Sequence, residues 1–282
     1  MRVMTRLCSW VVVLVALAAA AAQDDKGQDD KGTATGISAA ARAALAEARK
    51  VSDGCKGKVG PARSRALEVA AGTYDRLVAR LSGEPAAAAV AAWSAAVLWR
   101  RHGSLPLAEK DYLHAAKCDP ARYAQRALLG AADMQRRQQR REEAAKTYAR
   151  AAAVDPRTIR AQTARLWIAR MLLQDGQVDR AIEKFQAALE SAPTPRQAII
   201  TADHLCKAWI AKGDLTAASD VLAHVDGLVE QAAGGDPIAA ERLRRASERM
   251  SARRALRRAA DREHEAAKDA VRLDEHRRRR GK

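Results

Sequence analysis

The sequence has 282 residues, of which 4% are aromatic and 30% are charged, and its formal net charge is +16. So few aromatic side chains argue against a thick globular core around a large interior cavity. The many alanines favour closely packed helices instead, because Ala has the highest helix propensity and its small side chain lets neighbouring backbones approach. The positive charge favours an anionic partner.

The first 22 residues predict an export signal. Two arginines precede an apolar run from Leu7 to Ala22, and the run ends in three alanines, as in a cleaved signal peptide. The run is short for a bilayer span, which needs about 20 apolar residues, so a retained N-terminal anchor is the less favoured alternative. We therefore expect a mature chain that begins near Gln23, is periplasmic or secreted, and has no transmembrane span.

Export restricts the anionic partners that the positively charged chain can bind. Nucleic acid is not expected outside the cytoplasm, whereas anionic lipid, an anionic envelope polymer or an acidic protein is. The mature chain keeps Cys55, Cys118 and Cys206. Three widely spaced cysteines are not a disulfide framework, so we interpret them as small buried residues, with a Cys55–Cys118 bridge as the alternative.

Residues 23–37 predict a disordered linker. They begin with the tandem repeat QDDKGQDDKG and contain almost no apolar side chain. Such a segment cannot bury enough apolar surface to offset the entropy of ordering it.

A helical pair is predicted at residues 38–82. Ser38 is a good N-cap for a helix that runs to about Lys50, and Pro61 stands at the start of a second helix that reaches Leu81. A Gly-rich loop separates the two helices. We interpret the pair as a degenerate repeat ahead of a clearer array.

The array is a recurrence of small and large residues about every 36 residues between residues 88 and 231. Small residues recur at Ala108, Ala144, Ala181 and Ala218. Large apolar residues follow at Tyr112, Tyr148, Phe185 and Leu222, and compact ones at Ala115, Ala151, Ala188 and Val225. The same offset relates Ala96, Ala132, Ala169 and Cys206, and then Trp99, Gln135, Leu172 and Trp209. Such periodicity indicates stacked structural repeats.

Each repeat is predicted to be a helix, a short turn and a second helix, as in residues 88–102 and 106–118. Glycine takes the turn position in three repeats, at Gly103, Gly176 and Gly213. A positive φ is easiest for Gly there. Gln139 replaces Gly in the second repeat and predicts a longer or differently closed turn. The first three repeats close on a proline, at Pro120, Pro156 and Pro193, whereas the fourth has Glu230.

This array resembles tetratricopeptide repeats. One repeat meets six positions of the family pattern, with Ala96, Trp99, Ala108, Tyr112, Ala115 and Pro120. The spacing of 36–37 residues departs from the family, and so does Gln135, where an aromatic residue is expected. The resemblance implies an all-α, helix-turn-helix solenoid over residues 38–235 that binds a protein or peptide partner and is not an enzyme.

A single long basic helix is predicted from Asp236 to about residue 276, within a C-terminal region of residues 236–282. Asp followed by Pro is a strong helix start. A short apolar stripe is formed by Leu243, Ala246 and Met250. Arg253 and Arg257 interrupt it, so we expect the helix to cap the array with its first turns and then to extend into solvent.

The predicted binding surface is the concave face of the array, which the first helix of each repeat lines in tetratricopeptide proteins. The matching positions carry mainly cations, at Arg100, Arg101, Arg126, Arg136, Arg137, Arg170 and Lys207. Arg binds carboxylates through parallel N–H donors, so we expect this face to hold an acidic segment, with ordinary solvated charge as the alternative. Trp93 lies on the same face, where its indole can anchor a peptide or simply pack between helices.

Two other functions are alternatives to binding an acidic segment on the concave face. The first is binding of an anionic envelope polymer or lipid through the C-terminal helix and the tail Arg277–Arg280. The second is catalysis, for which the sequence offers little. His264-Glu265 begins like a zinc-protease motif, but Lys268 stands where the second His is needed. We predict no enzymatic activity, no metal and no cofactor.

Overall fold

Every regular element in the part of the chain that the structure describes is an α-helix. The computed structural model describes residues 36–233 and 237–280. The helices are α1 (Ala39–Asp53), α2 (Gly60–Arg80), α3 (Pro85–His102), α4 (Leu105–Cys118), α5 (Pro120–Arg137), α6 (Arg141–Val154), α7 (Ile159–Gln174), α8 (Val178–Glu190), α9 (Pro195–Lys212), α10 (Leu215–Ala233), α11 (Pro237–Glu248) and α12 (Ser251–Arg280). This order confirms the predicted all-α, helix-turn-helix repeat architecture.

The predicted signal peptide lies outside the described residues, as do all but the last two residues of the predicted linker. The predicted cap Asp236 lies outside them as well. None of the helices described is both long and apolar enough to cross a membrane.

The described chain divides into two compact units, with the boundary between Ile168 and Ala169 inside α7. In the N-terminal unit, residues 36–168, each helix from α1 to α5 packs on its successor, and α3 also contacts α1 and α5. In the C-terminal unit, which begins at residue 169, α9 packs against α8, α10, α11 and α12. The central helices of the two units are therefore α3 and α9.

The residues of the predicted repeat pattern form the core. The small residues are all buried, at Ala96, Ala108, Ala115, Ala132, Ala144, Ala151, Ala169, Ala181, Ala188, Cys206 and Ala218. The large residues Tyr112, Tyr148 and Phe185 are almost inaccessible to solvent. Because a side chain no larger than Ala or Cys stands at each of these positions, the helix backbones approach closely and the aromatic rings fill the space between them.

The turn at Gln139 closes like the three glycine turns, so the prediction of a longer or differently closed turn is wrong. The turn residue has a positive φ in all four cases: 99° at Gly103, 63° at Gln139, 74° at Gly176 and 87° at Gly213. The next N–H then donates to a carbonyl of the preceding helix, from Ser104 to Trp99, Arg140 to Gln135, Gln177 to Leu172 and Asp214 to Trp209, at 2.9–3.0 Å. Gln139 adopts the left-handed conformation itself, at a cost of about 1–2 kcal/mol for a residue with a Cβ.

Gln135 departs from the aromatic pattern because it belongs to a buried polar network. Its Nε2 donates to Oε1 of Glu109 on α4 at 2.9 Å, and both side chains are buried. Glu109 also accepts from Gln138 at 2.9 Å and from Arg140 at 2.6 Å. One carboxylate therefore ties α4 to the end of α5 and to the turn that follows.

The predicted single C-terminal helix is wrong, since the chain forms α11 and α12 with a break at Arg249 and Met250. The cause is a cap supplied by another helix. Asp203 on α9 accepts from the N–H of Ala252 at 2.9 Å and from the hydroxyl of Ser251 at 3.2 Å. The break also buries Met250 against the core of α9 and α10.

Arg253 does not simply interrupt an apolar stripe. Its guanidinium forms an ion pair with Asp226 on α10 and donates to the hydroxyl of Ser247 at 2.7 Å. Leu243 and Ala246 pack on the core of α9 and α10, so α11 is held against the C-terminal unit.

The three cysteines of the described chain are free thiols, and the Cys55–Cys118 bridge that was the alternative is not formed. Cys206 is buried on α9, and this burial raises the pKa of its thiol to about 11. Cys55 and Cys118 are half-buried against the core of the N-terminal unit.

Candidate functional site

A cavity of about 490 Å³ lies among α1, α2 and α3 in the N-terminal unit. Its lining combines basic, aromatic and aliphatic side chains. These are Arg42, Leu45, Ala46, Arg49, Ser52 and Asp53 of α1, Tyr74 of α2, and Val90, Trp93, Ser94, Val97, Leu98 and Arg101 of α3. We call it the arginine–tryptophan cavity.

The periodicity of residues along an α-helix explains which side of α1 faces the cavity. Ala41 and Ala48 are buried against the core and lie seven residues apart, on one face. Arg42 and Arg49 follow them by one residue each, so they share the neighbouring face and both line the cavity. Ser38 starts the helix, since its hydroxyl accepts from the N–H of Ala41 at 3.1 Å and thereby fixes where the turns begin.

Trp93 forms part of the wall and is also packed against neighbouring helices. Its ring meets Tyr112 of α4 edge-on, with the ring centres 5.2 Å apart, and lies 5.8 Å from Tyr123 of α5. The side chain is half-buried. The two interpretations of the sequence are therefore compatible, because one part of the indole packs between helices while another part lines the cavity.

Arg126 on α5 lies against the aromatic cluster. Its guanidinium carbon is 4.6 Å from the centre of the Trp93 ring and 3.9 Å from the centre of the Tyr123 ring. Its Nε is buried and has no hydrogen-bond partner among the described residues. The aromatic faces stabilise this cation without neutralising it.

The cavity carries an excess of unpaired positive charge. Arg42, Arg49 and Arg101 have no ion pair within the described ranges, and each is exposed. Asp53 is the acidic residue of the lining, and it is already bound to Lys56 at 2.8 Å. The hydrogen bond from Lys56 lowers the pKa of Asp53, which keeps that carboxylate ionised and engaged. A cavity with these groups attracts anions.

A second cavity of about 380 Å³ adjoins the first around the loop between α1 and α2. It shares Ser52, Asp53, Leu98 and Arg101 with the arginine–tryptophan cavity. Lys58 and Arg63 add further cations to its lining. The basic surface therefore continues past the end of α1.

Only some of the predicted site residues lie at the arginine–tryptophan cavity. Trp93 and Arg101 line the cavity, and Arg126 packs against Trp93. Arg100 and Arg137 are exposed but do not line it. Arg136 forms an ion pair with Asp133 at 2.5 Å, and its guanidinium carbon lies 3.9 Å from the centre of the Trp167 ring.

The other two predicted residues, Arg170 and Lys207, belong to the C-terminal unit. Lys207 forms an ion pair with Asp203 at 2.6 Å. Burial, together with the smaller effect of the charges of Arg170 and Lys207, lowers the pKa of His204 to about 4. These cations therefore have internal electrostatic roles in their own unit.

Sequence reasoning missed Arg42 and Arg49. They lie in the degenerate helical pair, where the repeat pattern that located the other positions is absent. Their seven-residue spacing beside Ala41 and Ala48 was the available signal, since it places both arginines on one face of α1. No group of three or more His, Cys, Asp or Glu side chains suited to a metal occurs within the ranges described.

The comparisons with known proteins support the repeat assignment. A model of the tetratricopeptide repeat family matches residues 127–159 and 168–199. No curated protein matches the chain. The fold is similar to that of the 41-end form of MamA from Desulfovibrio magneticus RS-1, at 15% identity and a TM-score of 0.50, over 69% of this chain and 98% of that one. A double mutant of MamA RS-1 is similar at 16% identity and a TM-score of 0.50, over 71% and 99%.

At these identities the structural similarity concerns the fold alone. The family match falls on α5–α6 and on α7–α8 with the start of α9, where the second and third repeats were predicted. Two segments of the chain thus match the tetratricopeptide repeat model, within a helical repeat fold.

Proposed function

We propose that this chain is an exported scaffold that holds an acidic segment of a partner protein in the arginine–tryptophan cavity. The observation that carries the proposal is that three arginines without an ion pair among the described residues, Arg42, Arg49 and Arg101, line one cavity with an aromatic wall. Repeat folds of this type commonly act by binding other proteins, which supports the same class of function.

The chemistry of the lining favours carboxylates. A guanidinium group offers parallel N–H donors that match the two oxygens of a carboxylate. Several like charges around one cavity also repel each other, and a bound acidic segment relieves that repulsion. Trp93 and Tyr74 add rigid apolar contact area, which lets the cavity bind the backbone and side-chain stems of a peptide as well as its charges.

A charge-reversal experiment tests the proposal. The probe is a fluorescein-labelled hexaglutamate peptide, and its binding is followed by fluorescence anisotropy. Reversing Arg49 and Arg101 together to Glu is expected to abolish binding. The matched control reverses Arg100 and Arg137, which are exposed and outside the cavity lining, and is expected to weaken binding only a few-fold through net charge.

Circular dichroism of both variants shows whether the helices persist. Equal losses in the cavity variant and in the control would show that the peptide responds only to net charge. That result would contradict specific binding of the peptide in the arginine–tryptophan cavity.

Export is the second part of the proposal and is supported by the basic and apolar pattern of residues 1–22. N-terminal sequencing of the native protein is expected to begin near Gln23. A native protein that begins at Met1 would contradict cleavage and favour the N-terminal anchor.

Binding of an anionic envelope polymer or lipid is the alternative function. The observation that favours it is a set of exposed arginines early in α12, Arg254, Arg257 and Arg258. Such binding is expected to weaken steeply as salt increases and to ignore the cavity variant. Sedimentation with phosphatidylglycerol vesicles over a sodium chloride series, with and without residues 277–282, measures it.

A further inference from the structure

The second cavity, which we call the loop cavity, shares part of its wall with the arginine–tryptophan cavity. The residues that line both are Ser52, Asp53, Leu98 and Arg101. Arg42 and Arg49 line only the arginine–tryptophan cavity. Lys58 and Arg63 line only the loop cavity. A ligand long enough to occupy both cavities therefore meets two separate pairs of cations, together with the shared Arg101.

Local structure places Lys58 and Arg63 at the loop cavity. Gly57 has a φ of 75°, a left-handed conformation that turns the chain after α1. The N–H of Lys58 then donates to the carbonyl of Cys55 at 3.4 Å. Arg63 precedes the buried Leu67 by four residues, so the two share one face of α2, and both line the cavity. The backbone of the loop and the packing of α2 thus fix where these two cations lie.

The loop cavity carries an excess of positive charge. Lys58 and Arg63 have no ion pair among the described residues, and both are exposed. Lys56 also lines the cavity, but its charge is balanced by Asp53, 2.8 Å away. Because Lys58 and Arg63 are not balanced in this way, the loop cavity attracts anions as the arginine–tryptophan cavity does.

The apolar part of the lining differs between the two cavities. Tyr74 and Trp93 line the arginine–tryptophan cavity, whereas none of the described residues that line the loop cavity is aromatic. An apolar or aromatic side chain of a ligand therefore gains most contact area beside Trp93. In the loop cavity a ligand is held mainly through its carboxylates.

The length of α1 sets how long a segment must be to reach both cavities. Arg42 and Arg49 are seven residues apart, which is about 10 Å along the helix. From Arg42 to Asp53, the last residue of α1, the distance is about 16 Å. An extended peptide advances about 3.3 Å per residue, so about three residues span the two arginines and about six reach the loop cavity.

We propose that the acidic segment of the partner binds in two parts, one in the arginine–tryptophan cavity and one in the loop cavity, with Arg101 contacting the segment where the parts meet. This inference rests on the proposed function, because it specifies the length and composition of the same segment. The first part carries an apolar or aromatic side chain beside its carboxylates, and the second part is acidic only. A segment much shorter than about six residues reaches one set of cations and binds more weakly.

The test neutralises the loop cavity and compares two probes of different length. Lys58 and Arg63 are changed together to Gln. The probes are fluorescein-labelled hexaglutamate and triglutamate, and their binding is followed by fluorescence anisotropy. The variant is expected to bind hexaglutamate at least about tenfold more weakly, because two charge-assisted contacts are lost. Its affinity for triglutamate is expected to change less than about two-fold, since that probe is held by the arginine–tryptophan cavity alone.

The matched control removes the same charge from nearby positions. Arg65 and Arg80 are exposed on α2 and line neither cavity, and they are changed together to Gln. Near physiological ionic strength the screening length is about 8 Å, so this control is expected to weaken either probe less than about two-fold. Circular dichroism of both variants measures whether the helices persist.

A loss confined to hexaglutamate in the loop-cavity variant supports binding in two parts. Equal hexaglutamate affinity in that variant and in the control, with binding still abolished by reversal of Arg49 and Arg101, overturns it and leaves the proposed function standing. Equal fractional losses for both probes also overturn it, because the effect then does not depend on length. If the unchanged protein binds neither probe, the proposed function fails, and binding in two parts fails with it.

Discussion

Gly130 on α5 packs so closely against the ring of Tyr112 on α4 that a side chain there would have to displace the ring by a few tenths of an ångström. A Cβ at this position would lie 3.0 Å from Cε1, Cε2 and Cζ of Tyr112. The Tyr112 ring is buried and meets Trp93 edge-on. Gly130 therefore sets how deeply Tyr112 packs, and through it the position of Trp93 in the cavity wall.

Gly130→Ala is expected to destabilise the protein by about 1–3 kcal/mol, because the added methyl group overpacks a buried ring. Helix propensity alone would give the opposite sign, with Ala favoured by about 1 kcal/mol. The matched control is Gly72→Ala in α2, where a Cβ would meet only the Nη1 of Arg76 at 3.9 Å. That variant is expected to be stabilised by roughly 0.5–1 kcal/mol. Urea melts that give both changes the same sign would contradict the packing argument.

The repeat pattern could be predicted from the sequence because each helix crossing needs a small residue, and those residues recur at a fixed spacing. Ala108 and Ala144, for example, are both fully buried as their spacing predicted. The break before α12 could not be predicted in this way. Its cap is Asp203, which is 49 residues before Ala252, so no local pattern reveals it.

The candidate site was predicted only in part, for a similar reason. The family pattern located Trp93 and Arg101, because they lie in a repeat that keeps the signature. Arg42 and Arg49 complete the cavity from a helix outside that pattern. The family pattern also selected Arg136, but it did not show that its charge is paired with Asp133.

Gln139→Gly is expected to stabilise the protein by about 1 kcal/mol. Gln139 has a φ of 63°, a conformation that Gly adopts without the steric cost of a Cβ. The expected rise in the melting temperature is about 2–4 °C for a domain of this size. Gly103→Ala, at the equivalent turn, is expected to lower it by a similar amount, and Gln139→Ala is expected to be near neutral. A Gly variant that melts at or below the unchanged protein would show that the Gln side chain stabilises the turn.

Glu109→Ala is expected to destabilise the protein by about 2 kcal/mol, because Gln135 and Gln138 would lose their acceptor while still partly or fully buried. Adding Gln135→Leu is expected to recover much of that loss. The combination reproduces the next repeat, which has Ala145 and Leu172 at the matching positions. Denaturant melts of the two single variants and the double variant measure the coupling. Additive effects would mean that the two side chains do not act as a pair.

Asp111 is expected to lower stability as pH rises from about 4 to about 8, and this effect dominates above about pH 6.5, because below that value the lowered pKa of His204 acts in the opposite direction. The side chain of Asp111 is buried on α4, and burial together with the nearby charge of Asp75 raises its pKa to about 8. Asp75 accepts from the indole N–H of Trp99 at 3.0 Å, which holds it in place. An Asp in the unfolded chain ionises near 3.9. Between these values the folded state binds the extra proton, so each rise in pH favours unfolding.

Asp111→Asn removes that proton uptake and keeps the shape of the side chain. The variant is therefore expected to match the unchanged protein near pH 4 and to exceed its stability at pH 9 by on the order of 2 kcal/mol. Urea melts at pH 4, 7 and 9 measure the difference. Asp261→Asn, on an exposed turn of α12, is the control and is expected to leave the pH profile unchanged. Parallel profiles for Asp111→Asn and the unchanged protein would show that Asp111 is already ionised at neutral pH, which would contradict its raised pKa.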